Sequence, residues 1–342
     1  MTDGTTIPGA ALPTWPELAR RAGLGEGARL LLALSGGADS TWLLHCLAES
    51  PAPVDLVAVH VDHALRGAAS RADRRFCEEL CERLAVPLVV ERASLDPGAA
   101  DLEARARRRR YRALAAVAAR DGRTVLTAHH ADDALETLVL RWLRGTTLLG
   151  LPGPRRSGRL PVPRAEGPRS PLLRPLLGLH GADLRADLAR RGLDWREDAS
   201  NASARFTRNR VRHGLLPWLE RQGGKEATAA LRSFHDALGR LDGELERREP
   251  DLGWRDAPGG SREVEVGALL SLWGPHRRRV LWRFVVEATG RPPGSALLAE
   301  LDEHLARGRA GRWTSKGAWQ IALEAGRLKL TPPAATREPR SR

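Results

Sequence analysis

Cysteine is nearly absent from this 342-residue chain. Cys46, Cys77 and Cys81 are an odd number with no C-x-x-C pair, which excludes a disulfide framework and a zinc ribbon and suits a reducing cytoplasm. Lysine is equally scarce, at Lys225, Lys316 and Lys329 alone, so nearly all of the 55 basic residues are arginine. The Walker pattern G-x-x-x-x-G-K-[ST] is missing. Its nearest echo, Gly223-Gly-Lys-Glu226, lacks the first glycine and the hydroxyl, and this excludes a P-loop nucleotide site. No apolar run approaches the roughly 18 residues of a membrane span. The start, Met-Thr-Asp-Gly-Thr-Thr, has neither the basic region nor the apolar core of a signal peptide. A cytoplasmic protein with no membrane partner is expected, and no fixed-period repeat is present.

What the chain has in excess is positive charge. Fifty-five basic residues against 42 acidic ones leave a net +13, which points to a polyanionic partner such as nucleic acid. The length suits two domains. In the first half, short apolar runs at 29–34, 54–61, 87–91 and 124–128 alternate with amphipathic stretches at 38–49, 70–85, 101–120 and 132–143. That alternation predicts an α/β fold, a Rossmann-like parallel sheet with helices on both faces. Residues 145–170, rich in Gly, Pro and Arg, read as a basic surface loop. Helical periodicity returns at 180–191 and 209–220 and breaks at Gln222-Gly-Gly224. The expected organisation is a catalytic domain over 1–220, a smaller, mainly helical domain over 221–330 ending in a strand-like piece at 319–330, and a disordered basic tail over 331–342.

Three polar clusters fall at the carboxyl ends of predicted strands, where ligands bind in such sheets. Ser35-Gly-Gly-Ala-Asp-Ser40 follows the first strand and opens a helix. Side-chain-free Gly36 and Gly37 let consecutive N–H groups converge on one oxyanion, Ser35 and Ser40 add hydroxyls, and Ala38 starts the helix with its positive end facing the site. A carboxylate at Asp39 beside a phosphate is repulsive unless a divalent cation lies between them, which argues for Mg²⁺. His60-Val-Asp-His-Ala-Leu-Arg66 ends the second strand, and Ala128-His-His-Ala-Asp-Asp133 the fourth. In the latter, Asp132 and Asp133 can cap a helix or hold a metal. Leu102 to Arg112 carries Arg107, Arg110 and Tyr111 within one helical turn, and adjacent arginines repel unless an anion intervenes. Trp195 to Asn201 and Phe206 to His213 mix Asn, Ser and Asp with guanidinium groups, a set suited to a base edge, an amino-acid carboxylate and phosphates.

The hexapeptide at 35–40 resembles the SGGxDS pyrophosphate loop of ATP pyrophosphatases. Read with His60 to Arg66, Glu103 to Arg107, Arg110-Tyr111, Ala128 to Asp133, Glu136-Thr137, Leu173-Arg-Pro-Leu176, Glu197 to Asn201, Arg208-Asn-Arg210 and Leu215-Leu-Pro217, it is similar to the tRNA(Ile)-lysidine synthetase branch of that family. Phe206, Ala134 and Asp101 depart from the residues usual there. The resemblance implies ATP and Mg²⁺ as cofactors and two substrates, free L-lysine and a tRNA(Ile) with a CAU anticodon. Lysine would be joined to carbon 2 of the wobble cytidine through an adenylated intermediate, releasing AMP and pyrophosphate. It assigns catalysis to Asp39, His129, Asp133 and Arg107, with His129 and Asp133 as base and orienting carboxylate. Nucleotide binding falls to residues 35–40 with His60 and Arg66, and the metal to Asp39 and Asp132. Arg110, Tyr111, Arg174, Asp198, Asn201, Arg208, Asn209 and Arg210 would face lysine or tRNA. The resemblance admits a homodimer. The competing readings are a tRNA thiolase of the same superfamily, against which the missing C-x-x-C counts, and a non-catalytic RNA-binding protein.

Overall fold

A triplet of leucines sets the centre of the first sheet. In the computed structural model, Leu30 and Leu32 of strand β1 (Arg29–Ala33) point into one apolar cluster and Leu31 into another on the opposite face, and all three are buried. A strand covered on both sides must lie inside a parallel α/β sheet. The structure describes residues 12–333 apart from 26, 53, 64–66, 94, 96–101, 144–145, 147–149, 151–152, 163–168, 198–206, 290–291 and 316–317. Two compact units result: the main division along the chain falls at residues 237–238, inside a long helix, and the second unit also takes in the segments from 141 to 152 and from 163 to 166.

In the first unit, β2 (Asp55–Asp62) and β3 (Leu88–Arg92) lie to one side of β1, and β4 (Thr124–Leu126), β6 (Pro171–Leu173) and β5 (Ser157–Arg159) to the other. The order is β3-β2-β1-β4-β6-β5, parallel except for β5, which runs antiparallel to β6. Short α1 (Trp15–Arg21) and helices α2 (Ala38–Ala48), α3 (Ala68–Arg83) and α6 (Gly181–Arg190) contribute Trp15, Leu43, Leu44, Leu80 and Leu184 to the cluster under Leu30 and Leu32. Helix α4 (Leu102–Asp121) covers the other face with Tyr111, Leu114 and Ala118 against Leu31, Val59 and Val125. Helix α5 (Ala131–Leu143) follows β4, and a four-residue α7 (Thr207–Arg210) runs through one π-turn at Val211–Leu215 into α8 (Leu216–Arg247). The expected α/β architecture is present. Part of the stretch expected as a loop, 157–159, is instead an edge strand. Gly223 and Gly224 do interrupt the helix, for Gly224 has φ 67° and α8 is two helices meeting at a kink.

The second unit holds the end of α8, α9 (Val266–Leu270), α10 (Gly274–Thr289) and α11 (Ser295–Ala306). It also holds a five-stranded antiparallel sheet where the sequence suggests one strand-like piece. Its strands are β7 (Arg255–Ala257), β8 (Ser261–Glu265), β9 (Gly311–Thr314), β10 (Gln320–Glu324) and β11 (Arg327–Thr331), in the order β7-β8-β11-β10-β9. Leu269, Leu281, Phe284, Leu301 and Leu305 of the helices pack on Val264, Ile321, Leu328 and Leu330 of the sheet. Within this core Arg279, 2% exposed, is neutralised by Asp242 and Glu249. Among the described residues no helix is long and apolar enough to cross a membrane.

Candidate active site

The turn between β1 and α2 is held open by its own hydroxyls. Gly36 sits at φ +84°, a conformation a side chain resists, and a Cβ there would lie 3.3 Å from Cys77 Sγ and 3.4 Å from Phe76 Cδ1. Ser40 Oγ accepts from the Ser35 N–H (3.2 Å), lies 3.0 Å from Ser35 Oγ and donates to the Gly37 carbonyl (3.0 Å). The Arg196 N–H donates to the Gly36 carbonyl (2.8 Å), and Arg196 Nε reaches Asp73 (3.1 Å), so the segment after α6 braces the turn. Gly37 is the N-cap residue of α2 and supplies no side-chain cap. The first turn of an eleven-residue helix therefore keeps donors that elsewhere a Ser or Asp would occupy, the setting in which an anion binds.

Asp39 stands in that first turn. Its Oδ1 is buried and has no hydrogen-bond partner, while Oδ2 lies 3.6 Å from His130 Nε2. Burial raises its pKa, His130 opposes that rise and Asp133 adds to it. A buried carboxylate oxygen without a donor, next to a turn built for an oxyanion, fits a divalent cation.

Asp132 is placed differently. Its Oδ2 accepts from the Gly181 N–H at the start of α6 (3.1 Å) and lies 3.2 Å from His130 Nδ1, and its Oδ1 meets His180 Nδ1 at 3.2 Å. Burial opposes its charge, but the bonds from His130, His180 and Gly181 outweigh it and hold the carboxyl well below the usual range. Gly181 permits this packing, since a Cβ would come within 2.9 Å of the His130 ring. Metal ligation at Asp132 is thus disfavoured, because both oxygens already serve α6 and two imidazoles.

Asp133 and His129 do not form the expected base and orienting pair. His129 Nδ1 lies 2.9 Å from Thr127 Oγ1, so a hydroxyl orients the ring. Burial is the main cause that drives the His129 pKa well below the usual imidazole value, with Arg174, Arg107 and Arg110 adding and Asp133 opposing. Asp133 Oδ2 caps α5 through the His130 N–H (3.1 Å) and its Oδ1 accepts from Arg208 (2.7 Å) and Arg212 (3.3 Å). Those arginines also grip Glu136, which is fully buried, at 2.6 Å from Arg208 Nε and 2.5 Å from Arg212 Nε. Burial works against ionised Asp133, but His130, Arg208 and His129 hold it in that form.

Sequence reading includes His130, Glu136 and Arg212 in its motifs without giving any of them a role, and it passes over Thr127. Glu136 and Arg212 had a usable signal: each lies one turn from a chosen residue, Asp133 and Arg208, on the same helical face. His60 is buried, with Nδ1 on the Leu34 carbonyl (3.0 Å) and Cys77 Sγ 3.4 Å away, so it supports the strand end just before the turn. Tyr111 is core rather than surface, with Arg107 and Arg110 stacked over its ring, while Arg174 is buried and donates to the Arg155 carbonyl (2.8 Å). Asn209 is buried, and Arg210 is exposed with a bond to Thr207. Arg66, Asp198 and Asn201 lie outside the described residues.

The parallel sheet with an uncapped helix start after β1 and an imidazole–carboxylate cluster after β4 defines a nucleotide-binding α/β protein. The chain belongs to the PP-loop domain family, whose profile matches residues 17–219, and this membership implies ATP as the nucleotide. It is 44% identical over 194 residues to the tRNA(Ile)-lysidine synthase of Solibacter usitatus, a match covering 57% of this chain and 41% of that protein. To the tRNA(Ile)-lysidine synthase of Symbiobacterium thermophilum it is 36% identical over 295 residues, 81% of this chain and 59% of that protein. The chain therefore spans about half the length of the curated relatives it matches. A U34-tRNA thiolase from Methanococcus maripaludis, solved with its iron–sulfur cluster, superposes with a TM-score of 0.52 at 14% identity, covering 66% of this chain and 79% of that one, a likeness of fold.

Proposed function

We propose that this chain joins free L-lysine to the wobble cytidine of a CAU-anticodon tRNA(Ile) at the expense of ATP, in the cytoplasm. The observation that carries the reading is the glycine turn at 35–40, opening a helix with no side-chain cap, and the polar segment 129–133 at the ends of neighbouring strands, in a chain resembling lysidine synthases over most of its length. The pyrophosphate portion of ATP is assigned to the turn and the open end of α2. Mg²⁺, held by Asp39, would neutralise phosphate charge at that point.

Attack of the cytosine O2 on the α phosphate expels pyrophosphate and turns a poor leaving group into AMP. The lysine ε-amine then attacks carbon 2 and AMP departs. An amine of pKa about 10.4 must lose a proton to act. His129 is the base in this reading: the low pKa keeps its imidazole neutral, and the role requires the tautomer in which Nδ1–H donates to Thr127 Oγ1 and Nε2 accepts the proton. Arg107 and Arg110 face the growing negative charge. Arg208 is already committed to Asp133 and Glu136, and with Arg212 it fixes the start of α5.

A thiolase reading is disfavoured, since burial raises Cys77 to about 12 and Cys81 to about 11, and Cys46 likewise to about 12. The test is transfer of labelled lysine to a tRNA(Ile) transcript with ATP. Incorporation with AMP release that requires both lysine and tRNA is expected, and ATP-dependent tRNA binding without incorporation would refute the proposal.

A further inference from the structure

Tyr111 is the chain's single tyrosine, and it lies 1% exposed on the α4 face of the sheet with a buried hydroxyl that has no partner at close hydrogen-bond distance, the donors that act on it being Arg174 and Arg110. Buried phenols ordinarily find a close partner. What surrounds it is positive charge. The guanidinium carbons of Arg107 and Arg110 stand 4.9 Å and 5.4 Å from the ring centre. Arg174, just past β6, is the third cation acting on the phenol, and its own Nε is a second buried polar atom without a close partner. Among the described residues, none of these three guanidinium groups pairs with a carboxylate. Arg208 and Arg212, elsewhere in the same unit, do, and so does buried Arg279. Uncompensated guanidinium charge that is partly buried is costly, and the fork geometry of arginine is suited to oxyanions. The cluster also belongs to the ligand edge of the sheet, since Arg174 follows β6, His129 follows β4, and all three arginines act on His129.

We propose that Arg107, Arg110 and Arg174 form a second oxyanion pocket, distinct from the 35–40 turn, which takes one phosphate group of a substrate over the Tyr111 ring. The pocket rests on the proposed function only for the two sources of that phosphate, the RNA backbone or the nucleotide. An arriving phosphate and an ionised phenol compete for the same cations. Without phosphate the phenol is the one group among them that can become an anion: burial works against this, yet Arg107, Arg110 and Arg174 lower its pKa to about 8. The neighbouring His129 adds no charge in that range, and Arg208, which acts on Arg110, is neutralised by Asp133 and Glu136.

One tyrosine gives one reporter. The full chain labelled with carbon-13 at tyrosine Cζ should show a single resonance titrating near 8. Saturation with the ligand that fills the pocket should move the midpoint up by about one unit or more. A shift with tRNA alone assigns the pocket to backbone phosphate, and one with ATP or inorganic phosphate alone assigns it to the nucleotide. A free midpoint near 10, or no shift with any of the three, overturns the proposal. Arg174→Gln supplies a second readout: the salt dependence of tRNA binding should lose a slope of about 0.7–0.9, or the KM for ATP should rise. Both unchanged would also overturn it. Failure of lysine transfer with the phenol shift intact would sink the lysidine reading and leave the pocket standing, and the converse holds.

Discussion

Replacing Glu136 with Gln should destabilise the first unit far more than its near-identity of shape suggests. The carboxylate is fully buried and both oxygens accept from guanidinium groups, Oε2 from Arg208 Nε and Arg212 Nη2 and Oε1 from Arg212 Nε. Whichever way the new amide turns, its NH₂ meets an N–H donor, so one acceptor is lost and a donor–donor contact replaces it. Breaking a buried ion pair costs about 3–5 kcal/mol. Here the arginine side chains are 27% and 32% exposed and Asp133 still holds both, which lowers the expectation to roughly 2–3 kcal/mol. For a unit of this size that corresponds to a fall in melting temperature of about 5–10 °C. Calorimetry should place the loss in the transition that ATP shifts, leaving the other unit's transition in position. A double variant with Arg212→Gln should lose clearly less than the two single losses combined. A shift below about 1 °C with native circular dichroism, or strict additivity, would refute the claim that this carboxylate is tied to both arginines.

Asp39→Asn should abolish AMP formation while leaving tRNA affinity within about twofold, measured by filter binding; equal loss of both would remove Asp39 from the nucleotide site. Gly36→Ala must adopt φ +84° with its Cβ 3.3 Å from Cys77 Sγ. It should cost about 1–2 kcal/mol of stability and weaken ATP binding at least tenfold by closing the turn, and an unchanged Kd by calorimetry would contradict the role given to the backbone there. His129, with a folded pKa below its unfolded value, contributes stability that is present above about 6.5 and is lost as pH falls through the folded value. Relative to His129→Gln, the wild type should therefore lose stability between pH 6.5 and 5 in urea titrations, and a wild type that gains there would reverse the sign of the assigned shift.

The first unit is legible in the sequence because burial on both faces makes its strands unbroken apolar runs. Leu30 to Leu32 and Val57 to Val59 announce β1 and β2, whose observed ends fall within a residue of the expected ones. Strand β5 escapes because Ser157, Gly158 and Arg159 are all exposed at a sheet edge and carry no apolar alternation. In the second unit, β10 and β11 read as one piece because the turn between them is Ala325-Gly326. Ala325 takes φ 50° without being one of the residues that usually mark such a turn.

The acidic residues show where sequence reading stops. Asp39, Asp132, Asp133 and Glu136 are all visible as carboxylates near strand ends, and spacing alone makes any of them a metal ligand. What separates them is partners brought in from afar. Gly181 and His180 claim Asp132 across 49 and 48 positions, and Arg208 and Arg212 claim Asp133 across 75 and 79. Only the fold reveals that these three are already neutralised by the protein's own donors. Asp39 Oδ1 remains buried without one, so among these four a cation arriving with the nucleotide gains most by binding there, where it relieves an unpaid desolvation instead of displacing an existing bond.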